Sequence, residues 1–136
     1  MTTYNMKADI RAGIHKVWEI VSAAEGYPAW RSDVEKTVTA HEKQFTTYTK
    51  DGYSTVFTVT AAEPCRRWEA DVETSHVKGH WTVEFTSKGS DTEIDFTGYV
   101  TAKRLSARPV GKSVFEKTYL QKEMARFVAD LENAVG

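Results

Sequence analysis

An α+β fold, seven antiparallel strands packed against one long C-terminal helix, is predicted by three features of the sequence. Apolar and polar residues alternate through 4–12, 68–73 and 94–102, the period of a strand with one face buried. Turn residues such as Asp51-Gly52 and Lys88-Gly89-Ser90-Asp91 separate these segments at short intervals, as in a meander. The stretch 109–135 instead carries Val110, Val114, Leu120, Met124, Phe127, Val128, Leu131 and Val135 at helical spacing, within one arc at about 100° per residue.

In the first strand Tyr4, Met6, Ala8, Ile10 and Ala12 share one face and Asn5, Lys7, Asp9 and Arg11 the other. From Gly13 the period changes, and Ile14, Val17, Trp18 and Val21 form one helical face that ends near 23–26. A second short helical turn falls on Tyr27-Pro28-Ala29-Trp30. Strands follow at 34–41 and 45–50, and after the Asp51-Gly52 turn at 54–61. Glu63-Pro64 interrupts pairing before the strand that carries Trp68, Ala70 and Val72 inward. Lys78-Gly79 is read as a turn into the strand with Trp81, Val83 and Phe85 on one face, and the last strand points Ile94, Phe96, Gly98, Val100 and Ala102 inward. Such alternation leaves one face wet and the other covered, and the long helix is the expected cover. The many small inward residues, Ala70 and Gly98 among them, either allow close packing or leave a void.

Composition narrows the function. A chain of 136 residues with 40% hydrophobic content buries a core as one domain, 1–136. A net charge of −1, with 18 basic and 19 acidic residues spread along the chain, gives no electrostatic footprint for nucleic acid. The single Cys65 rules out an internal disulfide, fits a reducing compartment, and reads as a small buried residue at a strand start. No apolar run is long enough for a membrane span and no signal-peptide pattern opens the chain, so a soluble cytoplasmic protein is expected. His76 and His80 straddle a hairpin with no cluster to complete a tetrahedral set, and no phosphate loop or nucleophile elbow is present, so neither metal nor cofactor is expected. The acids Glu69, Asp71, Glu73, Glu84 and Asp95 alternate onto the wet face, and no carboxylate dyad is visible.

The order of elements, with Val17-Trp18-Glu19-Ile20-Val21 followed by Tyr27-Pro28-Ala29-Trp30-Arg31-Ser32-Asp33-Val34, resembles the START-like helix-grip superfamily (SRPBCC). Within it the chain is most similar to the polyketide cyclase/dehydrase and lipid-transport-like branch, over essentially its whole length. The resemblance implies a helix-grip fold, in which a curved sheet wraps the C-terminal helix around a mostly apolar cavity. Its members bind lipids, sterols, polyketides or plant hormones, and some are enzymes or chaperone cofactors, so the fold leaves the activity open.

A small hydrophobic ligand is the expected partner. Lys117 falls inside the helical arc and either meets a carboxylate or enolate at the end of that ligand or lays its methylenes along the wall with its charge in water. Ser113 and Gln121 share the arc and could orient a polar head. His76 continues the inward register of Trp68 to Thr74 as a pocket acid or base, or else is an exposed turn histidine. Trp68, Phe96 and Met124 are the apolar candidates for the cavity wall. Phe115 and Tyr119 point away from the arc, as a contact with the first helices or a patch for homodimer formation. Two further activities fit: a cyclase or dehydratase with His76 or Lys117 moving a proton, and a chaperone-cofactor-like interaction module.

Overall fold

The structure, a computed structural model, describes residues 1–103 and 111–136. In chain order it contains β1 (Thr2–Ile10), α1 (Ile14–Ser22), a 3₁₀ turn (Ala24–Gly26), α2 (Tyr27–Trp30), β2 (Lys36–His41), β3 (Gln44–Tyr48), β4 (Ser54–Glu63), β5 (Arg67–Glu73), β6 (Val77–Lys88), β7 (Asp91–Ala102) and α3 (Lys112–Val135). The seven strands form one curved antiparallel sheet in the order β1-β7-β6-β5-β4-β3-β2, so β1 closes against β7 and β2 is the far edge. This is the expected α+β helix-grip architecture, and alternation explains it directly: Met6 lies opposite Phe96 and Ala8 opposite Ile94, all pointing to the covered face.

Three details depart from expectation. β1 ends at Ile10, because the Ala12 N–H turns back to the Ile10 carbonyl at 2.9 Å. Lys78-Gly79 is not a turn but part of β6; the chain reverses at 74–76, where the Thr74 hydroxyl accepts from the N–H groups of His76 and Val77. Gly79 is needed for packing, since an added Cβ would lie 2.0 Å from the Tyr99 carbonyl oxygen of β7. Cys65 is half-buried in the β4–β5 turn with φ 60, its Sγ 3.4 Å from His15 Nδ1, rather than buried at a strand start.

The covering is shared. α3 lies over β1 and β7 and touches α2, while α1 packs on β6 and β7, so the long helix is not the sole cover. Under α3, Gly98 permits close approach: a Cβ there would meet the Trp81 ring at 2.8 Å and Leu120 Cδ2 at 3.1 Å. At this position the small residue serves packing and leaves no void. Among the described residues no helix is long and apolar enough to cross a membrane.

Candidate functional site

The buried stripe of α3 consists of Glu116, Leu120, Met124, Phe127, Val128, Asp130 and Leu131. It is rotated by roughly 50° from the arc that the apolar count selects, at about 100° per residue. Two things shift it. Val114 belongs to the apolar count but is 69% exposed, and Pro109 and Val110 lie outside the described residues. Glu116, which no apolar count includes, is buried because its carboxylate accepts bonds from the Ala102 N–H at 2.6 Å and the Thr2 hydroxyl at 2.7 Å. Burial pushes that carboxyl up, but these bonds and the N-terminal ammonium 3.7 Å away outweigh it and hold the group below its ordinary range.

In the N-terminal half of α3 the covered side, with Glu116 and Leu120 buried and Phe115, Tyr119 and Glu123 half-buried, is turned well away from that arc, and Ser113, Lys117 and Gln121 are all exposed. The placement of Lys117 on the sheet-facing arc is therefore corrected. His76 is exposed in the β5–β6 turn, which is the turn-histidine alternative and not the pocket one. Met124 is wholly buried in the core beneath α3. Phe115 and Tyr119 are half-buried against that core and do not point away from it. Trp68 and Phe96 do come together, in the wall of a small cavity between sheet, α2 and α3.

That cavity measures about 50 Å³. It has room for a few waters or the end of a small ligand, well short of the roughly 300–1,000 Å³ that encloses a drug-sized molecule. Its floor is apolar: Phe57, Trp68, Val72, Trp81, Val83 and Phe96 from the sheet, with Phe127 from α3. Edge contacts at 5.1 Å link Trp81 to Phe96 and Phe96 to Phe127. Its other wall is polar, formed by Tyr27, Arg31, Asp33, Thr47, Thr55, Tyr119 and Glu123. Asp33 also borders a separate open depression on the outside, shared with Lys122 and Arg126.

The polar wall is a charge cluster assembled across about ninety residues of chain. α2 ends at Trp30, its C-cap Arg31 is extended, and the Arg31 N–H donates back to the Tyr27 carbonyl at 2.8 Å, which turns Arg31 and Asp33 toward α3. The Arg31 guanidinium rests on the Phe127 ring at 5.2 Å and on Tyr27 and Trp30 at 5.7 Å. Asp33 accepts from Arg126 Nη1 at 3.1 Å and pairs with Arg31 Nη2 at 3.4 Å. Arg126 also donates to Glu123 at 3.2 Å. Asp130 accepts from the Ser32 N–H at 2.9 Å and hydroxyl at 3.0 Å. The cluster contains two carboxylates, Asp33 and Glu123, on one guanidinium, an arrangement the sequence reading did not anticipate. Burial, with Asp33 nearby, lifts the Glu123 carboxyl above its ordinary range despite Arg126, and burial likewise raises the Tyr119 hydroxyl.

Among the described residues, four buried side-chain polar atoms have no hydrogen-bond partner, and three of them, Arg31 Nε, Asp33 Oδ1 and Trp81 Nε1, belong to residues lining this cavity. Native interiors leave few such atoms, so their concentration here marks the site. The signal that sequence reasoning missed is the charged spacing Glu123, Arg126, Asp130 beside Tyr119 and Phe127 on one helix, paired with Arg31 and Asp33 after α2. Among the described residues no group of three or more His, Cys, Asp or Glu side chains could hold a metal ion.

A family model described as polyketide cyclase / dehydrase and lipid transport matches residues 1–135. No curated protein matches the chain. Solved structures match its shape. A START superfamily protein from Mycobacterium smegmatis superposes with a TM-score of 0.83 at 14% identity, over 98% of this chain and 96% of that one. A conserved protein from Geobacillus kaustophilus gives 0.83 at 12%, over 98% and 95%. The Zhui aromatase/cyclase from Streptomyces sp. R1128 gives 0.74 at 13%, over 98% and 90%. At these identities the likeness is one of fold.

Proposed function

The chain belongs to the polyketide cyclase/dehydrase and lipid transport family, and on that footing we propose that it binds a small hydrophobic ligand, ring end inward, in the cavity between sheet, α2 and α3. The observation that supports this reading is the contrast within one cavity: an aromatic floor that includes Trp81, and a polar wall, with buried polar atoms of both that make no hydrogen bond. Burial against the floor would supply binding at about 25 cal/mol per Å² of apolar area, and one or two polar contacts would set orientation. At about 50 Å³ the cavity is smaller than the roughly 150 Å³ that takes a benzene ring, so a ring enters only as the side chains at the polar wall move. Trp68 and Phe96 are the contacts that sequence and geometry share, whereas Lys117, Gln121, Ser113 and His76 stand outside the proposed site.

Native mass spectrometry of freshly purified protein, with thermal shift against single-ring aromatics, aromatic polyketides and fatty acids, tests this. A co-purified mass or a rise in melting temperature that Thr55→Phe abolishes is expected; no mass and no shift with any class would remove the reading. A second reading, proton transfer in a cyclase or dehydratase, is favoured by Glu123, a half-buried carboxyl beside Asp33 at an apolar cavity. Under it Glu123→Gln abolishes turnover and preserves ligand binding; unchanged turnover would exclude Glu123.

A further inference from the structure

The cavity's charge count and its unpartnered atoms together narrow the ligand. Arg31, Asp33 and Glu123 line the polar wall, and Arg126 and Asp130 pair with them from behind it, so two positive charges meet three carboxyl groups. Arg126 reaches both Asp33, at 3.1 Å, and Glu123, at 3.2 Å; Arg31 lies 3.4 Å from Asp33 and 3.9 Å from Asp130. Each guanidinium therefore already faces two carboxyl groups. A ligand carboxylate would enter with no cation of this cluster left to meet it, and the repulsion would be felt at close range in a site screened from water.

The unpartnered atoms ask for something else. An indole N–H can only donate, and Trp81 Nε1 is buried without an acceptor among the described residues. Arg31 Nε is a second donor without a hydrogen bond, with only the Asp130 carboxylate 3.9 Å away, and Asp33 Oδ1 is an acceptor without one, 3.4 Å from Arg31 Nη2. A neutral ketone or phenol oxygen accepts from such donors without adding charge, and a phenol hydrogen can also serve Asp33. A plain hydrocarbon leaves all three unsatisfied.

We infer that the cavity selects uncharged ring compounds bearing a ketone or phenol oxygen and discriminates against carboxylates, an inference that rests on the ligand-binding reading above. The test is a titration of the ¹⁵N-labelled full chain at pH 8 with toluene, acetophenone and benzoate, following amide and indole resonances. Acetophenone should bind about tenfold more tightly than toluene and benzoate, and should move the Trp81 indole signal. Trp81→Phe should bring acetophenone down to the affinity of toluene, and Glu123→Gln should narrow the gap between acetophenone and benzoate several-fold. Benzoate binding as tightly as acetophenone would overturn the charge argument and leave the cavity reading standing. Toluene equal to acetophenone would overturn the donor argument alone. If none of the three perturbs resonances around the cavity, both the inference and the reading beneath it fall.

Discussion

The two faces of the sheet handle charge in different ways. On the outer face His80 of β6 lies between Asp71 Oδ1 at 2.7 Å and Glu69 Oε1 at 2.8 Å of β5, and stacks on Tyr99 of β7 at 5.6 Å. Arg67 pairs with Glu69 and Glu84, and Lys103 with Glu73. Arg67 with Glu84 and His80 with Asp71 are cross-strand partners that alternation brings opposite one another, and all of these pairs lie in reach of water and contribute little, about 0–1 kcal/mol each. On the inner side the charges of Arg31, Asp33, Glu123, Arg126 and Asp130 are drawn from a loop and a helix, are largely desolvated, and still leave Arg31 Nε and Asp33 Oδ1 with ion-pair contacts at 3.9 and 3.4 Å but no hydrogen bond. A cluster that served stability alone would be expected to close its hydrogen bonds, as the outer one does. The difference teaches where to look for a ligand.

This contrast makes graded predictions. Asp33→Ala should cost about 3 kcal/mol by chemical denaturation, because two partly buried guanidinium groups lose their shared counter-charge; a loss under about 1 kcal/mol would make the inner cluster no stronger than the outer. Gly98→Ala should cost about 2 kcal/mol, since the added carbon must displace the Trp81 ring or Leu120 from a filled part of the inner face. His80→Gln should cost under about 1 kcal/mol, and only at acid and neutral pH. Burial pushes the His80 imidazole down, but bonds to Asp71 and Glu69 outweigh it and raise it above 6.5. The stabilisation is thus complete below pH 6.5 and disappears as pH rises through the raised value. Denaturation curves of wild type and His80→Gln should converge at high pH; a gap that widens with pH would contradict the assignment. Lys117→Ala should change stability by less than about 0.5 kcal/mol and leave ligand binding unaltered, as for any solvated side chain.

How far these features could be read from the chain follows from their physics. Strand alternation at Tyr4 to Ile10 or at Ile94 to Ala102 depends only on one face being covered, so the architecture is visible without knowing what covers it. Trp68 and Phe96 were found for the same reason. Lys117 was misplaced because the arc was drawn through Val114, which is exposed, and passed over Glu116, whose burial depends on a backbone N–H more than ten residues earlier and a hydroxyl at the other end of the chain. Asp33 and Glu123 read as surface acids one at a time. Their meeting on Arg126 is a tertiary event, and only the charged i, i+3, i+7 spacing on α3 hinted at it.

The most direct test of the cavity as a ligand site is the indole N–H resonance of Trp81, assigned by its loss in Trp81→Phe and followed in the full chain on addition of acetophenone. A saturable downfield shift, with the indole signals of Trp18 and Trp30 unmoved, is the predicted result. A Trp81 resonance that stays in place while the ligand binds elsewhere would contradict the account.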